Sequence, residues 1–280
     1  MKADCHMHMV LDGVFWRDAI RRHACQPDIP WIRERLERYR SRGFAYLRDG
    51  GDRWGVGKAA RELAPEYGIT YRTPLAPLCL AGHYGSFIGC TYEMEKDYVN
   101  QIRQHRAAGA DFIKLMISGL MDFDRFGVLT EDGLPPQLIR RLITIAHEEG
   151  FSVMVHANGA AVVEAAAEAG VDSVEHGAYL DNSALHAMHQ AGTVWVPTLS
   201  TIGSLRGKGR FSECAVRQIL ESAMENVRCF ACMGGLIAPG TDAGAWEVFH
   251  GDETEYTLLA QAGVSDAALE RGIAVITKKF

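Results

Sequence analysis

The sequence lacks several features that would indicate a secreted, membrane or nucleic-acid-binding protein. No apolar run approaches the roughly 18 residues that a membrane-spanning helix needs, and the first residues enter a predicted strand directly, without a signal peptide. The net charge is −6, which argues against a surface for nucleic acid. Seven cysteines, an odd number, fit reduced thiols better than a disulfide framework. We therefore expect a cytoplasmic protein that acts on a small molecule.

What the sequence does contain is an alternation of short apolar strands and amphipathic helices along its whole length. Eight strand–helix units joined by short connections predict an α/β fold of the (β/α)8 TIM-barrel type. An open, doubly wound sheet is the competing arrangement, but no G-x-G-x-x-G motif follows an early strand. Since no linker or repeat interrupts the pattern, we expect a single domain over residues 1–280.

Several local predictions bear on how a site would be built. A strand over Thr70–Ala76 is expected to run into a glycine-rich loop at 81–85, and a helix over 182–190 is expected to be capped by Asn182. Two connections, 118–127 and 200–210, are longer than barrel loops usually are.

The first strand carries two histidines at alternate positions, His6 and His8. Side chains of a strand alternate between its faces, so both imidazoles project to one side, about 7 Å apart along the strand. Two such imidazoles can hold one metal ion. The alternative is a pair of histidines bonded to polar neighbours on a half-buried strand.

Four more ionisable residues fall in or directly after later predicted strands: Lys114, His156, His176 and Asp242. Each has a structural explanation when taken singly, as a buried ion pair, a core histidine or a turn residue. In a barrel, however, functional groups collect at the carboxyl ends of the strands. Together with the first two histidines, they would place nitrogen ligands, a carboxylate and a buried amine on one rim.

Lys114 lies within an otherwise apolar strand, where a charged ammonium is costly and the neutral amine becomes a nucleophile. Such an amine can form a Schiff base with a carbonyl substrate. It can also add CO₂ to give a carbamate whose two oxygens bridge two metals. Four histidines and an aspartate nearby favour the carbamate, because a Schiff-base lysine has no use for them.

The series D-x-H-x-H, F-I-K-L-M, V-H-A-N-G, V-E-H-G and P-G-T-D-A-G resembles the amidohydrolase superfamily, and most of all its imidazolonepropionase-like and prolidase-like hydrolases. The resemblance implies a centre of two divalent metal ions, with zinc as the default and Mn, Fe or Co as alternatives. It implies that one ion is held by His6, His8 and Asp242, the second by His156 and His176, and that carbamylated Lys114 bridges them.

The resemblance also implies a mechanism, in which a metal-bridging hydroxide attacks the substrate and Asp242 passes its proton to the leaving amine. His83, in the glycine-flanked loop, resembles a family histidine that orients or polarises the substrate carbonyl; a surface histidine is the alternative. We therefore expect hydrolysis of an amide-like C–N bond in a cyclic amide, acyl-amino acid or dipeptide-like substrate. Ester, lactone or phosphoester hydrolysis, decarboxylation and a non-catalytic metal-binding barrel are the alternatives.

Two departures from the family pattern carry further expectations. The flanking segments that pair into a small β-sandwich in relatives are missing, so we expect a bare barrel whose uncovered apolar flank makes the protein a homo-oligomer. Asn158 stands in a substrate-contacting position where prolidase-like relatives often have tyrosine, which makes a dipeptide substrate doubtful. Arg206 and Arg210, in the loop after strand seven, are the candidates for binding a substrate carboxylate in its place; the alternative is a solvated loop.

Overall fold

The computed structural model describes residues 1–280, and parallel strands alternate with helices along all of it. The strands are β1 (Lys2–Met7), β2 (Phe44–Asp49), β3 (Thr70–Arg72), β4 (Leu78–Leu80), β5 (Cys90–Tyr92), β6 (Ile113–Met116), β7 (Val153–Ala157), β8 (Ser173–His176), β9 (Val194–Val196) and β10 (Leu236–Ile237). The helices are α1 (Trp16–Arg22), α2 (Ile29–Ser41), α3 (Val56–Leu63), α4 (Glu95–Ala107), α5 (Pro136–Glu148), α6 (Ala160–Glu168), α7 (Asn182–Ala191), α8 (Ser200–Gly203), α9 (Glu213–Cys232), α10 (Thr254–Gln261) and α11 (Asp266–Lys279). The predicted α/β class is confirmed.

The strands form two parallel sheets. The smaller has the order β1-β2-β3, and the larger has the order β10-β9-β8-β7-β6-β4-β5. Backbone hydrogen bonds join β1 to the segment that follows β10: Cys5 N–H donates to the carbonyl of Pro239 and His8 N–H to that of Ala243, both at 2.8 Å. On the other side, Asp111 N–H, just before β6, donates to the carbonyl of Thr73, just after β3, at 3.0 Å.

Alternate strand residues from both sheets meet in an interior layer, because successive side chains of a strand point to opposite faces. Cys5 of β1, Met154 of β7 and Val196 of β9 pack there with Phe280, at the end of α11. Helix α11 thus covers the interior at the amino ends of the strands. The carboxyl ends remain open, and that is where the ionisable residues of the strands lie.

The structure corrects two local predictions. The strand expected over Thr70–Ala76 is interrupted after Arg72 and resumes at Leu78, because Pro74 cannot donate to a ladder and Leu75 has a left-handed φ of 66°. Asp181, and not Asn182, caps α7 by accepting a 2.9 Å hydrogen bond from the N–H of Ala184.

The structure also contains two short helices, α1 and α8, that the sequence analysis did not predict. Neither shows the apolar periodicity of a longer amphipathic helix, because each has only one or two turns. No helix combines the length and the apolar character that crossing a lipid bilayer requires.

We predict that Gly272→Ala lowers the free energy of unfolding by about 1–3 kcal/mol. Alanine normally stabilises a helix relative to glycine, but here the added Cβ would lie 1.9 Å from the carbonyl oxygen of Ile237 in β10, so α11 must move. Urea denaturation measures the change. Arg271→Ala, at the exposed neighbouring position, is the control and should change stability by less than about 0.5 kcal/mol. A glycine variant as stable as the parent protein would contradict the close packing.

Candidate metal centre

The open ends of the strands bring together all six residues that were predicted as metal ligands. They come from β1, β6, β7, β8, the residue directly after β1 and the turn after β10. Five are buried and the sixth, the aspartate, has a side chain only 15% exposed. They are His6, His8, Lys114, His156, His176 and Asp242.

Three of these residues form a tight cluster. His6 Nε2 and His8 Nε2 lie 3.5 and 3.6 Å from the same carboxylate oxygen, Asp242 Oδ1. Their potential ligand atoms all lie within 4.8 Å of one another. Two imidazoles and a carboxylate at this spacing are a suitable donor set for a divalent metal such as zinc.

Lys114 projects from β6 into this cluster. Its Nζ lies 3.1 Å from His6 Nε2 and 3.4 Å from His8 Nε2. Burial lowers the pKa of Lys114 to about 8, and the Asp242 carboxylate opposes that shift. Burial likewise raises the pKa of Asp242 to about 7, opposed by the Lys114 charge. A pKa of about 8 leaves part of Lys114 as the neutral, nucleophilic amine near neutral pH.

His156 and His176 lie side by side at the ends of β7 and β8, with their ring centroids 4.5 Å apart. The His176 ring is also 5.0 Å from that of His6, so this pair adjoins the first cluster. Burial, aided by the charge of Lys114, lowers the pKa of His156 to about 3. Its Nε2 contacts the carbonyl oxygen of Gly119 at 3.1 Å. A carbonyl can only accept, so the proton resides on Nε2 and the lone pair on Nδ1 remains for a ligand.

A buried network of side chains fixes the orientation of His6. Its Nδ1 lies 2.8 Å from the carboxylate of Glu175, which requires the proton on Nδ1 and leaves the lone pair on Nε2, facing Lys114. Glu175 also accepts hydrogen bonds from Arg48 at 2.8 Å and from the Ser173 hydroxyl at 2.6 Å. Glu175 and Arg48 are fully buried, and the sequence analysis missed both. The only indication of Glu175 in the sequence is that the V-E-H-G motif places a charged residue within an apolar strand.

The backbone at the strand ends is strained. His176 has a φ of 68°, Thr198 of 50° and Asp242 of 56°, in the left-handed region that non-glycine residues seldom adopt. Thr198 Oγ1 bonds His176 Nδ1 at 2.7 Å, so two of these residues hold one another in place. Such strain persists only where the surroundings impose it, and it concentrates at functional sites.

The structure does not support substrate contact by Asn158. A cavity of about 460 Å³ opens above the metal-ligand cluster, and Asn158, which is fully buried, does not line it. Its amide nitrogen donates to the carbonyl of Gly119 at 2.9 Å, and its amide oxygen accepts from the N–H of Ala178 at 3.0 Å. Because backbone groups bond both ends of the amide, Asn158 joins the loops after β6 and β8.

His83 also lies outside the cavity. Its ring points to Glu131, with Nδ1 3.7 Å from the carboxylate, while the next residue, Tyr84, lines the cavity. The Tyr84 ring lies 4.9 Å from that of His156. Tyr84 was missed because adjacent loop residues point in different directions, and only the loop conformation decides which one faces the site.

The two arginines of the loop after β9 have different positions. Arg206 is exposed and outside the cavity, so the structure does not place it for substrate binding. Arg210 lines the cavity, and its guanidinium carbon lies 4.2 Å from the centroid of the Trp246 ring. The predicted cationic contact is therefore reduced to one residue of this loop.

The comparisons with known proteins concern the family of the chain and its fold. Residues 55–272 match a model described as the amidohydrolase family. Ochratoxinase of Aspergillus niger is 26% identical over 194 residues, which cover 65% of this chain and 38% of that protein. The chain thus aligns with less than half of that relative.

Solved structures share the fold at low sequence identity. A Xaa-Pro dipeptidase with bound methionine superimposes with a TM-score of 0.78 at 20% identity, over 99% of this chain and 75% of the other. A prolidase complexed with N-methylphosphonate-L-proline gives a TM-score of 0.77 at 23% identity, over 99% and 73%. The family model matches well over half of the chain and confirms the resemblance seen in the strand-end motifs. The protein belongs to the amidohydrolase family.

Proposed function

We propose that the protein is a metal-dependent hydrolase that cleaves an amide-like C–N bond. Family membership supports hydrolysis, and the observation that carries the metal dependence is the convergence of His6 Nε2, His8 Nε2 and Asp242 Oδ1 on one point beside Lys114. A group of neutral imidazoles with their lone pairs directed at a carboxylate fits a divalent cation.

In this proposal His6, His8 and Asp242 would hold one ion, and His156 and His176 would hold the second. Two histidines are too few ligands for an ion, and Lys114, as a carbamate, would complete both sets. The carbamate forms when the neutral Nζ adds to CO₂ and loses a proton. The ions, with zinc as the default, would activate a water molecule and polarise the substrate carbonyl.

Asp242 then moves the proton of the reaction. Water adds its oxygen to the carbonyl carbon and the C–N bond breaks, while one proton passes through the Asp242 carboxylate to the leaving nitrogen. Burial raises the pKa of this carboxyl to about 7 in the metal-free protein, and a bound cation would favour the carboxylate form that accepts the proton.

The proposed site also needs strands that surround it. We propose that β1, β2, the interrupted pair β3 and β4, and then β6 to β10 form a closed eight-stranded (β/α)8 barrel, with β5 as an added strand beside β4. The hydrogen bonds from Cys5 to Pro239 and from Asp111 to Thr73 support closure, since each joins one sheet to the other.

We predict that protein purified without added metal contains close to two equivalents of divalent metal. Dialysis against a chelator should abolish amide hydrolysis and lower the melting temperature, because metals that bind only the folded state stabilise it. Elemental analysis, activity assays and thermal unfolding measure these effects, and dialysis without chelator is the control. Full activity at less than a tenth of an equivalent of metal would refute the metal dependence.

Lys114→Ala should lose metal and activity together, because the bridge between the two ions disappears. A short carboxylic acid such as propionate should restore part of both by occupying the place of the carbamate. Lys58→Ala, which removes an exposed lysine of α3, is the control and should retain both. If the Lys114 variant kept two metals and full turnover, the bridging role would be wrong.

Asp242→Asn should retain most of its metal while kcat falls by roughly 10²–10⁴-fold, the usual size of general acid–base catalysis. The amide oxygen of asparagine can still act as a ligand, but the side chain cannot carry the proton. Steady-state kinetics with metal content measured on the same sample tests this. An unchanged kcat in the metal-loaded variant would exclude Asp242 as the proton carrier.

A further inference from the structure

Glu255, in α10, is a buried carboxyl group without a compensating cation. Its side chain is fully buried, and its Oε1 atom has no hydrogen-bond partner. Glu255 forms no ion pair, whereas Glu253, two residues earlier, pairs with Lys2 of β1 at 2.7 Å. An ionised carboxylate in such surroundings would be strongly destabilised, because it has lost its hydration and gained no opposite charge.

The elements packed against α10 bring no positive charge to Glu255. Helix α8 contains no ionisable residue, and the charged residues of α9 are all exposed to solvent. Asp4 of β1 is a second carboxyl, and its charge also favours the neutral form of Glu255. Burial, aided by Asp4, raises the pKa of Glu255 to about 8, although hydrogen bonds from Ser200 oppose this shift.

The contacts of Ser200 indicate where the proton of Glu255 lies. Ser200 Oγ is 2.8 Å from the carbonyl oxygen of Thr241 and 2.9 Å from Glu255 Oε2, which also accepts from the Ser200 N–H at 2.7 Å. A hydroxyl group has one proton, and a backbone carbonyl can only accept. With a protonated carboxyl, Glu255 donates to Ser200 Oγ and Ser200 donates to Thr241, so every contact contains a proton. An ionised Glu255 would leave one of the two hydroxyl contacts without a proton.

The carbonyl that Ser200 contacts belongs to the peptide group between Thr241 and Asp242. At the other end of this peptide group, the N–H of Asp242 donates to the carbonyl of His6 at 2.6 Å. Asp4 also accepts from the N–H of Thr241 at 2.9 Å and from its hydroxyl at 2.6 Å. Because both ends of the peptide group are bonded, it cannot rotate to relax the left-handed φ of 56° at Asp242.

We propose that Glu255 is a positioning residue: as a neutral carboxylic acid it directs the Ser200 hydroxyl to the Thr241 carbonyl and so holds the backbone of Asp242 in place. Glu255 does not line the cavity and acts only through Ser200. Its ionisation would draw the hydroxyl proton to the carboxylate and release the carbonyl. The inference rests on the proposed function only for the reaction of Asp242, and its structural part is testable in the metal-free protein.

Carbon-13 NMR of the metal-free protein, with glutamate labelled at the δ-carbon, tests the protonation state. At neutral pH one signal should have the chemical shift of a carboxylic acid and should be missing from Glu255→Gln. The same signal should move to the value of a carboxylate as the pH rises through about 8. Glu253→Gln removes an exposed glutamate nearby and should lack only a signal of an ionised carboxylate. A Glu255 signal typical of a carboxylate at neutral pH would overturn the inference.

Amide hydrogen exchange of the metal-free protein measures how firmly the backbone of Asp242 is held. Ser200→Ala should speed exchange of the Asp242 N–H about tenfold, because its peptide group loses one hydrogen bond. Glu255→Leu, which cannot bond Ser200, should have a similar effect. Ser204→Ala removes the hydroxyl of a half-buried serine four residues later and is the matched control, with exchange within about twofold of the parent. Unchanged exchange at Asp242 in the Ser200 variant would contradict the positioning role.

Steady-state kinetics of the metal-loaded protein, with N-acetyl-L-methionine as the probe, connects this role to the reaction. At equal metal content Ser200→Ala should lower kcat about tenfold and leave KM within about twofold, since the cavity is unchanged. Glu255→Leu should behave alike, whereas Glu255→Gln, which stays neutral and still accepts from the Ser200 N–H, should retain at least about a third of kcat. Equal losses in the Gln and Leu variants, or a change in KM alone, would overturn the inference. If the loaded protein hydrolyses no amide while the NMR and exchange results hold, only the proposed function fails.

Discussion

The buried ion pair between Arg48 and Glu175 is the interaction on which the arrangement of the site depends. Arg48 belongs to β2 of the smaller sheet and Glu175 to β8 of the larger one, so their 2.8 Å contact crosses the interior. Arg48 also donates from Nε to the carbonyl of Cys5 at 2.7 Å, and Glu175 bonds His6. Removing one partner of such a pair leaves the other as an uncompensated buried charge, which lowers the free energy of unfolding by about 3–5 kcal/mol. The position of His6 therefore depends on both sheets at once.

This network also explains the chemistry available at the strand ends. Burial lowers the pKa values of His6, His8 and His176 well below that of a free imidazole, so these rings are neutral at physiological pH. A neutral imidazole is the form that binds metal. For His6 the carboxylate of Glu175 determines which nitrogen keeps its proton, and thus which one is available to an ion. Desolvation keeps these rings neutral, and directed hydrogen bonds orient His6, His156 and His176.

The sequence was sufficient to predict the alternating fold and the six clustered residues, because both depend on local patterns. Parallel strands bring their carboxyl ends to one edge. The alternation along β1 is irregular, because its register against β2 shifts between Asp4 and Met7, yet His6 and His8 still reach the same site. The sequence was insufficient to predict residues whose role depends on contacts with distant parts of the chain. Arg48 and Glu175 are 127 residues apart, and in sequence a charge that is paired inside the fold looks like any surface charge. The structure places His83 and Asn158 outside the cavity, because loop conformation and backbone partners decide what a polar side chain can reach.

Three residues at or after the ends of β8, β9 and β10 have left-handed backbone conformations, which lower the stability of the fold at the positions that form the site. Each of these conformations costs of the order of 1 kcal/mol for a residue with a Cβ, and glycine would adopt it freely. At the positions of His176 and Asp242, backbone conformation alone therefore favours glycine, which has no imidazole or carboxylate. The two side chains that complete the strand-end cluster thus occupy places where the backbone by itself would select a residue without a side chain.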